Sequence, residues 1–197
     1  MESQPTTTRT VTDIDAIKGC LEAIFFAADE PLTRRQVDDL VPDATPESLE
    51  RALRQLKLDY SGPSRGIHLV EIAGGFQFRT NPDFNQAVLR LFESKPFRLS
   101  KAALETLAIV AYRQPVTRAQ VDELRGVDCS AMMKKLNELE LIAVVGRMDD
   151  IGRPNLYGTT QRFLQFFGLK ELSDLPTLDQ LEIDFEMILE NGAQEEE

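Results

Sequence analysis

The sequence predicts a mainly helical α+β chain made of two similar domains in tandem, and three observations predict it. The first is an order of elements: between Leu99 and Thr160 three short helical patterns with tight turns are followed by a strand hairpin. The second is an internal repeat. Residues Pro31-Leu32-Thr33-Arg34-Arg35-Gln36-Val37-Asp38-Asp39-Leu40 lie on Pro115-Val116-Thr117-Arg118-Ala119-Gln120-Val121-Asp122-Glu123-Leu124 at an offset of 84 residues, with seven of the ten identical. The third is that the repeat keeps the physics of a helix start: Thr33 with Gln36, and Thr117 with Gln120, each make a capping box. Helix, helix-turn-helix and hairpin is the order of a winged helix. The chain therefore reads as two tandem winged-helix domains.

Residues 1–12 are rich in Thr and show no apolar period, which predicts a flexible arm. Residues 13–95 form the first domain. Its opening helix, Ile14 to Ala28, carries Ile17, Leu21, Ile24, Phe25 and Ala28 on one stripe, and Phe26 widens that stripe beyond one face. A second helix starts at the Thr33 box, with Leu32 and Val37 stapling its entry. Thr45 caps and Pro46 opens a third helix bearing Leu49, Leu53 and Leu56. Ile67 to Ile72 and Phe76 to Thr80, hinged at Gly74-Gly75, form the wing. Asn81 to Phe92 is predicted as a closing helix with Phe84, Val88, Leu91 and Phe92 inward, and Lys95-Pro96 is the linker.

The second domain, residues 98–168, repeats this order. Ser100 caps a helix whose Leu104, Leu107, Ala108 and Ala111 recur on one face, and Pro115 ends it at Gln114. The Thr117 box starts the next helix and Gly126 stops it; Asp128 caps a third with Met132, Leu136 and Leu139 as its stripe. Ile142-Ala143-Val144-Val145 and Leu156 to Thr160 make the second wing around a loop with Asp149, Asp150, Gly152 and Pro154. Gln161 to Phe167 closes the domain with more apolar surface than one helix needs. Residues 169–197 read as an acidic, mostly disordered tail. In it Leu172 and Leu175 fold back, and Leu178, Leu181, Phe185, Ile188 and Leu189 space out as an amphipathic stretch that is marginal by itself.

The formal charge of -11 is unevenly placed. Residues 170–197 hold one Lys against ten Asp and Glu, so residues 1–169 carry only -2. Neither half has the basic stripe that dominates phosphate binding. In the third helix of the first domain Arg51, Arg54 and Lys57 face Glu47, Glu50 and Asp59; in the second, Lys134 and Lys135 face Glu138 and Glu140. Direct DNA binding is thus expected to be weak or absent. No apolar run is long enough to span a bilayer, and MESQPTTTRTVTD lacks the apolar block of a signal peptide, so the expectation is a cytoplasmic protein without membrane contact.

Catalytic constellations are hard to build from these residues. His68 is the lone histidine, set mid-hairpin and read as a solvent-facing strand residue. A phosphate loop is absent, and Gly74-Gly75 lacks a strand-to-helix setting. Asp13 with Asp15, and Asp149 with Asp150, lack the further oxygen ligands a hard cation wants. Cys20 and Cys129 have no metal-type spacing and read as reduced packing residues. No cofactor and no enzymatic activity are expected. Arg147, Arg153 and Tyr157 on the second wing, and Tyr112-Arg113-Gln114 at the end of the first helix of that domain, admit two readings. They belong to a wing packed on its own domain with arginines in solvent, or to a protein-binding surface, where Tyr and Arg are over-represented.

The residues LSKAALETLAIVAYRQPVTRAQVDELRGV, with GRPNLYGTT and FGLKELSDLP, resemble the segregation and condensation protein B family over residues 98–176, and more loosely before that. Cys129, Met132, Met133, Glu138 and Glu140 depart from the run expected there. The resemblance implies a non-enzymatic subunit of a condensin-like complex in chromosome condensation and partition at cell division, nucleoid-associated through that complex. It further implies a homodimer joined mainly through the first domain, to which Phe25 and Phe26 are assigned. Its implied partner is a kleisin, segregation and condensation protein A, and through it the structural-maintenance-of-chromosomes (SMC) ATPase. The kleisin is expected on the second domain. The competing reading is a tandem winged-helix DNA-binding transcriptional regulator.

Overall fold

Both capping boxes form, and each sets the frame of its half of a computed structural model that describes residues 13–91 and 98–177. In the first half α1 (Ile14–Ala27) is followed by β1 (Leu32–Thr33), α2 (Arg34–Leu40) and α3 (Pro46–Asp59). The backbone N–H of Thr33 donates to Gln36 Oε1 at 2.8 Å, and Thr45 caps α3 with Pro46 at its first turn. The wing, β2 (Ile67–Ile72) and β3 (Gly75–Thr80), joins β1 in an antiparallel sheet of order β1-β3-β2. Ile17, Leu21, Phe25, Val37, Leu49, Leu53, Leu56 and Leu69 make the core.

The second half repeats the plan with α5 (Lys101–Arg113), β4 (Val116–Thr117), α6 (Arg118–Arg125), α7 (Ser130–Glu138), β5 (Ile142–Arg147), β6 (Asn155–Thr159) and α8 (Gln161–Phe167). Its sheet order is β4-β6-β5, the same as in the first half. Both halves are winged helices.

Several expectations are corrected by the packing. The buried face of α5 is Ala103, Thr106, Leu107, Val110 and Ala111, and Leu104 and Ala108 are exposed. The face turned because a polar residue belongs to it. Thr106 donates its hydroxyl to Ala102 O at 2.8 Å and is thereby buried without cost to its polar atom. On α7 the buried pair is Met133 and Leu136, with Met132 and Leu139 at the core's edge. Cys129 stands at the cap position of α7. Asp128 still serves that end: its carboxylate accepts the N–H and hydroxyl of Ser130, both at 2.9 Å, which holds it below the usual aspartate range.

The first wing turns at Ala73 and Gly74, with φ of +49° and +70°, and not at Gly74-Gly75. Gly75 lies in β3 for lack of room: a Cβ there would sit 2.7 Å from the Leu32 carbonyl carbon. The closing helix of the first half also differs. A 3₁₀ turn, Pro82–Phe84, precedes α4 (Asn85–Leu91), which buries no residue; Phe84 is exposed and Leu91 is 78% exposed. The cause lies upstream. Buried Asn81 donates to the Pro63 and Arg65 carbonyls and accepts from the Asp83 N–H, which commits the exit of the wing to a direction away from the core.

Residues 169–177, read from sequence as the start of a disordered tail, are part of the fold. Gly168 ends α8 at φ +71°, Leu169 and Leu175 pack on the second core, and a 3₁₀ turn spans Leu172–Asp174. This segment ties the halves together. The N–H groups of Ala73 and Gly74 donate to the carbonyls of Leu169 (2.8 Å) and Lys170 (2.9 Å), and Lys170 pairs with Glu71 at 3.2 Å. The expectations for residues 1–12, Phe92, Lys95-Pro96 and the stretch from Leu178 onward lie outside the described residues.

Candidate functional site

The candidate surface of the second half is built where the end of α5 meets the wing. Gln114 is the joint. Its Nε2 donates to Ala111 O at 3.0 Å, and its Oε1 accepts from the N–H (2.8 Å) and hydroxyl (3.1 Å) of Thr159 on β6. Gly158 makes this approach possible, since a Cβ there would lie 2.9 Å from Gln114 Oε1. Tyr112 is half-buried and donates its hydroxyl to Pro176 O at 2.7 Å. Tyr157 is half-buried too, packed on the core between Val116 and Val144 in the sheet register.

The three arginines behave differently. Arg113 is exposed and overhangs a groove of about 340 Å³ formed with Val116, Gln120, Glu123 and Leu124. Arg147, at the end of β5, and Arg153, in the wing loop at φ +43°, are exposed as well. The six residues singled out from sequence therefore divide. Tyr112, Gln114 and Tyr157 hold the domain together, and Arg113, Arg147 and Arg153 face outward. Sequence reasoning missed the exposed apolar residues of the second wing: Val144, Val145 and Met148 are exposed and Ile151 is 98% exposed. In the sequence Val144-Val145 reads only as part of a wing strand. A register shift between Val144 and Gly146 turns this stretch out of the core.

In the first half, Phe25 and Phe26 part company. Phe25 is 1% exposed and lies against Phe76 at a ring-centroid distance of 6.2 Å, so it belongs to the core and leaves the candidate dimer surface. Phe26 is 80% exposed beside a groove of about 300 Å³ lined by Glu22, Tyr60, Ile67 and Phe78. The Tyr60 hydroxyl donates to Glu22, which raises the tyrosine above its ordinary range; burial adds to the shift.

His68 is not solvent-facing. It is half-buried, its Nε2 is buried with no hydrogen-bond partner among the described residues, and it lines a groove between the halves. Among the described residues no group of three His, Cys, Asp or Glu could hold a metal ion, and no helix is long and apolar enough to cross a membrane. Cys20 and Cys129 are free thiols. On the third helix of each half, basic groups are matched by carboxylates: Arg54 with Glu50 (3.5 Å), Lys57 with Glu71 (3.8 Å) and Lys134 with Glu138 (3.8 Å). Arg51 and Lys135 stay exposed, so each third helix is balanced in part and carries no basic stripe of the kind that reads phosphate.

The sequence profile of the family described as segregation and condensation complex subunit ScpB matches residues 19–178. The chain is 49% identical over 166 residues to segregation and condensation protein B of Syntrophotalea carbinolica, covering 84% of each protein. It is 44% identical to that of Symbiobacterium thermophilum over 82% of this chain and 74% of the relative. Among solved structures, ScpB of Mycobacterium tuberculosis aligns at 35% identity over 80% of this chain and 98% of its own, with a TM-score of 0.38. A dimer of an ScpB N-terminal domain complexed with an ScpA peptide aligns at 28% identity over 40% of this chain and 96% of its own, with a TM-score of 0.37. The chain belongs to the ScpB family of segregation and condensation complex subunits.

Proposed function

We propose that this chain is a non-enzymatic, cytoplasmic subunit of a condensin-like complex that acts in chromosome condensation and partition by binding proteins. The first winged helix, residues 13–95, joins two copies, with Phe26 at the contact. The second, residues 98–168, grips a kleisin-type partner, segregation and condensation protein A, and through it the SMC ATPase. The observation that carries the reading is the family match over residues 19–178, set beside the outward exposure of Arg113 at the end of α5 and of Arg147, Ile151 and Arg153 on the second wing. A surface of that composition suits a protein partner, which desolvates the apolar groups and pairs the guanidinium groups. The DNA-binding alternative is disfavoured by the partly matched charges of both third helices.

The test is co-purification with the kleisin subunit, followed by mass measurement of the complex and affinity measurement for variants. Arg153→Glu and Ile151→Asp are each expected to weaken the complex at least tenfold while the chain melts as before. Retention of full affinity in both variants would move the partner to another face. Tight retention on DNA resin at about 0.15 M salt would favour the regulator instead.

A further inference from the structure

The groove between the two halves has a volume of about 660 Å³ and an unusual lining. One wall is the outer face of the first wing, where His68 and Arg79 stand opposite each other in the β2–β3 register and Val70 lies next along β2. The other wall is α8, with Phe166 and Phe167 at its rim, 43% and 41% exposed. Among the described residues of that lining His68 and Arg79 are the only titratable side chains, and none is a carboxylate. The other grooves described all carry one: Glu123 beside Arg113, Glu22 beside Phe26, and Glu47 or Glu50 along α3.

Neither basic group is well satisfied. Arg79 donates Nε to Gln77 Oε1 at 2.9 Å, but its Nη2 reaches the Gln165 carbonyl only at 3.4 Å. His68 Nε2 is buried and has no partner among the described residues. A guest that suits this groove brings apolar side chains and carboxylates together. The chain contains such a segment. From Leu178 to Glu197 it carries Leu178, Leu181, Phe185, Ile188 and Leu189 among eight Asp and Glu, with no Lys, Arg or His. Its root is fixed, because Tyr112 holds Pro176. Twenty residues reach roughly 65 Å when extended and about 30 Å as a helix, so tether length permits the contact. A tethered segment also acts at an effective concentration in the millimolar range, which favours the intramolecular seat over a second copy.

We propose that the acidic segment 178–197 folds back into the groove between the halves, its apolar residues against Val70, Phe166 and Phe167 and its carboxylates on the exposed guanidinium of Arg79. Seated there, it braces the two winged helices in one orientation. This goes beyond the partner-binding role above and does not depend on it. The test is hydrogen exchange on the full chain with no partner present, read by mass spectrometry over residues 178–189. Exchange at least tenfold slower than in the same sequence as a free peptide is expected, independent of protein concentration over a hundredfold range. Arg79→Glu is expected to abolish that protection and Arg113→Glu to leave it. If Arg79→Glu lowers the melting temperature, Arg79→Gln replaces it, with partial loss expected. Peptide-like exchange in the wild type overturns the proposal, as does protection that survives a well-folded Arg79→Glu. Loss with Arg113→Glu alone, or protection that fades on dilution, places the segment elsewhere and overturns it equally.

Discussion

Gln114→Ala separates a structural joint from a binding residue. The side chain makes three hydrogen bonds, one to Ala111 O and two from Thr159, and they connect the end of α5 to β6. A net contribution near 1 kcal/mol per bond gives an upper figure of about 3 kcal/mol, and because Gln114 is only half-buried the expected loss is about 2 kcal/mol. For a chain of this length that corresponds to a fall in melting temperature of roughly 4–8 °C. Denaturant unfolding followed by circular dichroism measures it, with Gln114→Glu as companion. The glutamate keeps the acceptor for Thr159 but sets a second acceptor against Ala111 O, so its loss is expected to be at least as large. A second lever is Gly158→Ala, whose Cβ would meet Gln114 Oε1 at 2.9 Å and Val145 Cγ1 at 3.0 Å. Its cost is expected to shrink when Gln114 is already Ala, a coupling that only neighbours show. If Gln114→Ala unfolds within 0.5 kcal/mol of wild type, the joint is not one, and the reasoning is refuted.

Phe25→Ala is expected to cost about 3–5 kcal/mol, whereas Phe26→Ala leaves unfolding unchanged and shifts the protein toward monomer in sedimentation at micromolar concentration. Gly75→Ala is expected to cost about 1–3 kcal/mol in denaturant unfolding, because the atoms it meets are backbone of Leu32 and cannot swing away. Gly74→Ala meets nothing within 4 Å and bears only the strain of φ +70°, about 1 kcal/mol. Tyr60 is expected to titrate above the ordinary tyrosine value of about 10 in a phenolate absorbance titration, and Glu22→Gln to bring it down. Since the folded value is the raised one, this bond stabilises the fold fully below the unfolded value and its contribution is lost as pH rises through the folded one.

Much of the fold was legible because its signals are local. A capping box needs four consecutive residues, and both boxes form at the positions the sequence names. Pro46, Gly126 and the two β-rich hairpins are likewise short-range signals. What escaped was decided by partners distant in sequence. Thr106 joins the core because Ala102, on the turn before it, takes its hydroxyl, and because Arg125, 19 residues on, donates to its oxygen at 3.1 Å. Phe84 and Leu91 carry apolar side chains to the surface because Asn81 is held by the Pro63–Arg65 loop. In the candidate site, residue type pointed to Arg113, Arg147 and Arg153 but could not separate them from Tyr112, Gln114 and Tyr157. Polar side chains serve joints and contacts alike, and only the distances to Pro176 and Thr159 tell them apart.

The two copies diverge at one place, and that place links them. Up to the second wing they run in parallel: same box, same sheet order, same antiparallel pairing. After the wing, the first copy sends α4 outward with nothing buried, while the second buries Phe163 and Leu164 in α8 and turns at Gly168. That turn delivers the Leu169 and Lys170 carbonyls to the N–H groups of the first wing's own turn, at Ala73 and Gly74. A tight turn leaves those donors without partners in its own hairpin, and the second copy supplies the acceptors. The side chain of Ala73 also packs against the second core, and Lys170 shares Glu71 with Lys57 of α3. The halves are therefore not independent beads. A change at the tip of the first wing acts on the segment that leads to Pro176 and Tyr112, and so on the end of α5 where the outward arginines begin.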